Sequence, residues 1–206
     1  MDVKVDNDRT LSLETVPADA LALAAAIDRK LSKQGRVINS LRIDGTDVLA
    51  EDCNLAAIAL TETAVVEVAT EDARALTDRI LGELDEALAE LPSACHALAA
   101  VFQGNAPTEG FEPFQQLAEI WSVIKTRQLD AANIMNCSMG EITVAGQSLQ
   151  QMHEELNRYL EEAVQALEAN DCVLLGDLLE YELAPRAQQE AEIVAALRRH
   201  IAQQSA

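Results

Sequence analysis

Four long amphipathic segments after residue 71 constrain the fold of this chain more than any other feature. In the first segment Leu81, Leu84, Leu88 and Leu91 alternate steps of three and four residues, which is the spacing of a helix that buries one face in a bundle. The other segments cover about 111–135, 149–167 and 172–201, with short connectors between them. This pattern predicts an antiparallel four-helix bundle over residues 71–206.

Prolines and glycines divide these segments further. Pro92 is expected to break or kink the first segment before helix resumes to Phe102, and Pro185 is expected to kink the last one. The stretch 138–146 contains two glycines beside a short β-like run, so its form stays undecided. The clearest loop is 104–110, which is rich in glycine, asparagine and proline.

Residues 1–70 follow a different pattern. Val3 and Val5 alternate with polar residues up to the turn signal Asn7-Asp8, after which Leu11 and Leu13 resume the alternation, so a hairpin is predicted. Apolar residues at helical spacing predict a helix over 17–33. A strand over about 37–43, a turn at Asp44-Gly45, a short return strand and a β-branched strand over 64–68 complete the module.

This order of hairpin, helix, strand, short strand and strand resembles the β-grasp, or ubiquitin-like, fold over residues 2–70. The resemblance implies a mixed sheet wrapped on one helix, a module that is widely used for protein–protein contacts. It does not extend to the free Gly-Gly tail of modifiers or to the cysteine cluster of ferredoxins, since the region holds only Cys53. The predicted fold class is therefore α+β, with a β-grasp-like module (1–70) followed by a helical bundle (71–206).

The charge of the chain limits its partners. Thirty-five acidic residues against fifteen basic ones give a net charge of −20, which repels phosphate backbones and anionic lipid heads. Nucleic acid and membranes are thus disfavoured as partners, whereas a basic protein is favoured. We expect a cytoplasmic location, because no signal peptide or apolar run of about 20 residues is visible and the four cysteines are scattered.

No motif for catalysis or cofactor binding is found. No glutamate has a histidine three residues later, and Cys95-His96 are adjacent, which makes joint chelation on a helix awkward. No glycine-rich phosphate loop and no nucleophile elbow is present. We therefore expect no metal, no cofactor and no enzymatic activity.

Half of the six aromatic residues fall in one stretch, at Phe111, Phe114 and Trp121. One interpretation is that Phe114 and Trp121 anchor the core of the bundle. The other is a partner-binding patch beside the 104–110 loop, because Trp and Phe are favoured interface anchors.

A second candidate surface lies at 177–185, where acids and leucines interleave at helical spacing. Leu179, Glu180, Tyr181 and Glu182 form either a core helix with a solvated acidic face or an acidic, leucine-edged groove for a basic amphipathic helix. This stretch resembles small, uncharacterised acidic bacterial proteins of similar layout, a resemblance that implies no particular activity.

These observations favour a non-catalytic protein-interaction module, an adaptor or chaperone-like protein that can also pair as a homodimer. Two alternatives stay open. One is an enzyme or small-molecule binder with a site between the two domains that carries no motif, and the other is a regulatory subunit of a larger complex.

Overall fold

The computed structural model describes residues 1–7, 9–49, 53–61 and 63–204. The chain divides into two compact units, Met1–Leu76 and Thr77–Ala206. The first unit carries a five-stranded mixed sheet and the second is built mainly from helices, so the predicted α+β class is confirmed. Within the described ranges, no helix combines the length and the apolarity that a membrane span requires. Asp8 of the predicted hairpin turn lies outside the described residues.

The sheet of the first unit has the strand order β2-β1-β5-β3-β4. Strands β1 and β5 run parallel, and the other neighbouring strands run antiparallel. The predicted hairpin is present, with Val3 opposite Leu11. One face of the sheet packs against helix α1. Leu23 and Ile27 of this helix are buried in the apolar core of the unit. The elements are β1 (Asp2–Val5), β2 (Arg9–Ser12), α1 (Ala20–Leu31), β3 (Arg36–Ile43), β4 (Thr46–Asp47) and β5 (Val66–Asp72).

Local signals set the ends of these elements. Helix α1 begins at Ala20, later than predicted, because the Asp19 carboxylate accepts a hydrogen bond of 2.8 Å from the Ala22 N–H and so caps the helix. The predicted turn at Asp44-Gly45 has φ of 51° and 83°, the left-handed pair that a two-residue hairpin requires.

A partly buried polar contact ties the β1–β2 turn to β5. The Asp6 carboxylate accepts hydrogen bonds of 2.7 Å from both the backbone N–H and the hydroxyl of Thr70, and one of 3.2 Å from Arg36 Nη2. The Thr70 hydroxyl contributes most to lowering the pKa of Asp6, and Arg36 lowers it further.

The second unit packs its helices around one apolar core that contains Trp121 and Phe114. Arg198 joins α7 to α3 through a contact of 3.1 Å with Asp85. The helices are α2 (Ala73–Gly82), whose first residues belong to the first unit, α3 (Asp85–Phe102), α4 (Phe111–Ile134), α5 (Leu149–Glu168), α6 (Cys172–Asp177) and α7 (Ala184–Gln204).

The alternative of a break at Pro92 is wrong, since this proline lies inside the continuous helix α3, and the alternative of a kink stays a prediction. Leu88, Leu91 and Cys95 are buried on either side of it, so core packing holds the helix together despite the missing N–H. The interruption occurs earlier, at 83–84, where a turn separates α2 from α3.

The last predicted helix is divided by a π-helix over Leu178–Leu183, in which the Ala184 N–H donates to the Leu179 carbonyl five residues back. A π turn is wider than an α turn, which gives room for the ring of Pro185 just beyond it. The irregularity thus precedes Pro185, and α7 continues through the proline.

The undecided connector at 138–146 leads into a short hairpin. Strands β6 (Thr143–Val144) and β7 (Gln147–Ser148) pair across Ala145-Gly146, whose φ values are 51° and 88°. Ser148 then caps α5 through a capping box with Gln151.

Candidate functional site

Two adjoining open depressions along one side of α5 form a shallow groove, and α4 lines only one of them. The α4 end is a cleft of about 290 Å³ lined by Lys125, Leu129 and His153, and it shares Asn157 with a cleft of about 420 Å³ along α5. Leu129 is 48% exposed and Val164 is 42% exposed, so apolar side chains lie at both ends of the groove. We refer to it as the α4–α5 groove.

Glutamates accompany the apolar residues of this groove along α5. Glu154, Glu161 and Glu168 recur every seven residues and are all exposed, which places them on one side of the helix. Leu160 and Val164 are one turn apart on the same helix and line the same cleft as Glu161 and Glu168. The groove therefore presents an apolar strip with an acidic edge.

A buried polar network crosses the core beneath this groove. The Gln128 amide donates through Nε2 to Glu190 Oε2 at 2.6 Å, and its Oε1 lies 2.7 Å from His153 Nε2. Because the amide oxygen can only accept, His153 donates through Nε2. Gln128 is fully buried and Glu190 is 2% exposed, so α4, α5 and α7 are joined by hydrogen bonds inside an apolar core.

Burial changes the acidity of Glu190, His153 and Lys125. Desolvation raises the pKa of Glu190 to about 7, against the opposing effects of Gln128 and Lys125. Desolvation lowers the pKa of His153 to about 4, and the charge of Lys125 lowers it further. Burial also lowers the pKa of Lys125, which the carboxylates of Glu190 and Glu161 partly offset.

On the other side of α5, a cavity of about 110 Å³ lies between α5 and α7, with Glu190 among its lining residues. Arg186 is held at its rim by Glu155 at 3.4 Å and by Glu182 at 3.0 Å. The guanidinium of Arg186 also lies 4.1 Å from the ring centroid of Tyr159. The rim is therefore a set of groups that satisfy one another, next to a buried carboxylate.

The structure places the predicted aromatic residues in the core. Phe114 is 1% exposed and Trp121 is fully buried, as the core interpretation predicts, so they form no exposed patch in this conformation. Phe111 is half-buried, and its ring centroid lies 6.0 Å from that of Phe102. In the part of the chain that the structure describes, Trp121 Nε1 is the one buried side-chain polar atom without a hydrogen-bond partner.

The residues predicted at 179–182 form the π-helix and point in different directions. Leu179 is fully buried, whereas Tyr181 is 68% exposed. Glu180 lies 3.7 Å from His96 Nδ1, and Glu182 is bound to Arg186. This stretch therefore combines a core leucine, one acid bound to Arg186, one acid near His96 and one exposed tyrosine rather than a leucine-edged groove.

The cysteines and acids form no metal centre among the described residues, where no group of three or more potential ligands converges. Burial raises the pKa of the Cys95 thiol to about 12 and also raises that of Cys137, so both are weak nucleophiles at neutral pH.

Sequence reasoning did not identify Gln128, His153 or Glu190, although a signal was present. Gln128 follows Trp121 and Ile124 in steps of three and four residues, as a core position of a helix would. Glu190 lies three residues after Ala187 and four before Val194, which is the same spacing. A polar residue at a core position of a helix needs a buried partner.

Comparisons with known proteins add one finding. No curated protein and no solved structure matches the chain. A family model described as "Domain of unknown function (DUF8042)" matches residues 79–192, a region that includes α3 to α5, the π-helix and the whole Gln128–His153–Glu190 network. The match covers more than half of the 206 residues, and the chain therefore belongs to this family.

Proposed function

We propose that this protein is a non-catalytic interaction module, adaptor or chaperone-like, whose α4–α5 groove binds a basic amphipathic helix of a partner protein. The observation that carries the proposal is the coincidence of an exposed apolar strip with a row of glutamates. Leu129 and Val164 are among several large apolar side chains that are exposed in the described part of the chain, and Val164 lies in the same depression as Leu160, Glu161 and Glu168. An apolar surface of this kind with a polar rim can mark a contact surface.

The charge and the spacing of the α5 glutamates favour a basic helix as the partner. Glu154, Glu161 and Glu168 are seven residues apart, which matches a partner helix that carries Lys or Arg at the same interval. Leucines on the adjoining face of that helix would cover Leu160 and Val164. Both the overall charge of −20 and the acidic edge favour a protein of this kind over nucleic acid. Pairing as a homodimer stays a prediction.

We also propose that the first unit is a β-grasp module and that the second is a four-helix bundle. The element order of the first unit and its strand order β2-β1-β5-β3-β4 support a β-grasp arrangement over residues 2–70. The contacts of α3 with α4 and α7, and of α4 with α5 and α7, support a four-helix bundle in the second unit. A β-grasp module would agree with a role in protein contacts.

The test uses a labelled synthetic helix with lysines every seven residues and leucines on the neighbouring face. Binding to the full-length protein is followed by fluorescence anisotropy, with a scrambled peptide of equal composition as reference. Replacing Glu154, Glu161 and Glu168 by Gln should weaken binding about tenfold, since exposed ion pairs contribute about 0.5 kcal/mol each. Val164→Asp should weaken it as well.

The matched control replaces Glu86, Glu90 and Glu192 by Gln, which removes the same charge from exposed positions on other helices. Binding by this control should stay close to that of the unmodified protein. Equal weakening in both triple variants would show a general charge effect, and equal affinity for the scrambled peptide would show that the groove recognises no helix. Either result rejects the proposal.

A further inference from the structure

The cavity between α5 and α7 contains a carboxylate that is only partly satisfied. Glu190 is 2% exposed and lines the cavity. Its Oε2 accepts the hydrogen bond from Gln128, whereas its Oε1 takes part in no hydrogen bond among the described residues and is not fully enclosed by protein. A carboxylate oxygen that is open to a cavity in this way is available to a hydrogen-bond donor or a cation that enters the cavity.

The charged groups around Glu190 come from three helices. Lys125 on α4 and His153 on α5 lie on the far side of Gln128, toward the α4–α5 groove. On the cavity side, Glu155 uses one oxygen for Gln147 at 3.1 Å and the other for Arg186. Arg186 on α7 is in turn shared between Glu155 and Glu182, so its charge is already compensated.

This arrangement excludes most classes of ligand. An anion finds no uncommitted base on the cavity wall, because Arg186 is bound by two carboxylates. A divalent metal finds no set of three ligands among the described residues. A neutral polar molecule would bring no positive charge to Glu190 Oε1 when this carboxyl group is ionised.

An organic cation meets each of these conditions. We propose that the cavity binds a small aliphatic amine, with its ammonium group against Glu190 Oε1 and its alkyl chain against the apolar wall. Met152, Leu156 and Ile193 form that wall. The volume of about 110 Å³ suits a short alkyl chain, since one water-sized group needs only about 10–15 Å³ on the same measure. The two carboxylates that flank Arg186 leave the rim negative, which favours entry of a cation.

The experiment measures binding of n-butylammonium to the full-length protein by isothermal titration calorimetry, with n-butanol as the neutral probe of similar shape. The amine should bind and the alcohol should not. Because the raised pKa of Glu190 keeps part of the population protonated at neutral pH, affinity should rise about tenfold from about pH 6 to about pH 8. Binding should also release protons, which is detected as a dependence of the measured heat on the buffer.

Glu190→Gln keeps the shape of the side chain and an acceptor for Gln128, and should lower amine affinity at least tenfold at pH 8. The control Glu192→Gln removes an exposed charge two residues away on the same helix and should leave affinity unchanged. Circular dichroism checks that both variants are folded. Absence of amine binding at millimolar concentration, equal binding of butanol, or unchanged affinity in Glu190→Gln would each overturn the proposal.

Discussion

Replacing Glu190 by Gln should make the helical unit more stable at alkaline pH than the unmodified protein is. The substitution preserves the shape of the side chain and the hydrogen bond with Gln128, but removes the titrating group. In the folded protein, burial raises the pKa of Glu190 from its ordinary value of 4.5 to about 7. In the unfolded chain, the group returns to its ordinary value.

The direction in which stability changes with pH follows from these two pKa values. The folded protein holds the proton more tightly than the unfolded chain, so the stabilisation is complete below about pH 4.5 and is lost as the pH rises through about 7. A difference of about 2.5 pH units, at about 1.4 kcal/mol per unit, gives a loss of about 3.5 kcal/mol. The Glu190→Gln variant has no proton to lose at this position and so avoids this loss.

His153 makes stability depend on pH in the opposite direction. Its pKa is lowered to about 4 by burial and by Lys125, so the unfolded chain binds the proton more tightly and stability rises between about pH 4 and about pH 6.5. In the unmodified protein the two trends offset each other over much of this range. The Glu190→Gln variant should expose the His153 trend, with stability that rises as the pH increases.

Urea denaturation followed by the fluorescence of Trp121 provides the assay, because this single tryptophan lies in the core of the helical unit. The scan from about pH 5 to about pH 8 stays above the isoelectric point near 4.3, where association is expected. The free energy of unfolding of Glu190→Gln, relative to the unmodified protein, should rise by about 2–3 kcal/mol over this range. A difference that does not change with pH, or one that Glu192→Gln reproduces, would refute the reasoning.

Two further predictions concern other parts of the molecule. A Cβ at Gly110 would lie 2.8 Å from the Phe102 ring, whereas one at Gly82 would meet nothing within 4 Å. Gly110→Ala should therefore lower the free energy of unfolding by about 1–3 kcal/mol, and Gly82→Ala should not lower it, as measured by urea denaturation; equal effects would contradict this packing argument. Asp6→Asn removes a carboxylate whose pKa the Thr70 hydroxyl lowers, so its destabilisation, measured by thermal unfolding, should be largest at neutral pH and should shrink as the pH falls through the range where Asp6 is protonated. A loss of stability independent of pH would show that the charge of Asp6 has no role.

Features governed by neighbouring residues could be predicted from the sequence. The alternation of Val3 and Val5 predicts β1, and Asp44-Gly45 predicts the turn after β3, because turn conformation and strand alternation depend on local geometry. The apolar spacing of Phe114 and Trp121 predicts their burial. Their closeness in the sequence does not indicate an exposed patch, because residues at helical spacing share the face that packs into the core.

Features that depend on tertiary contacts could not be predicted in this way. Gln128 and Glu190 are 62 residues apart and His153 lies 25 residues from Gln128, so their pairing follows from how three helices pack. The continuity of α3 through Pro92 has the same origin, since core contacts outweigh the local cost of the proline. The π-helix is a small local departure that no residue preference specifies.

That π-helix governs the rotational phase of α7. Each residue of an α-helix turns the chain by about 100°, and a π turn behaves as an α-helix with one residue inserted. Deleting a single residue from Leu178–Leu183 would restore regular winding and rotate every later side chain by about that angle. Glu190 would then turn away from Gln128, and an apolar core position would receive a different residue. The same backbone insertion that accommodates Pro185 thus keeps the carboxylate of Glu190 inside the protein. The π-helix and the buried Glu190 are therefore expected to be inherited or lost together.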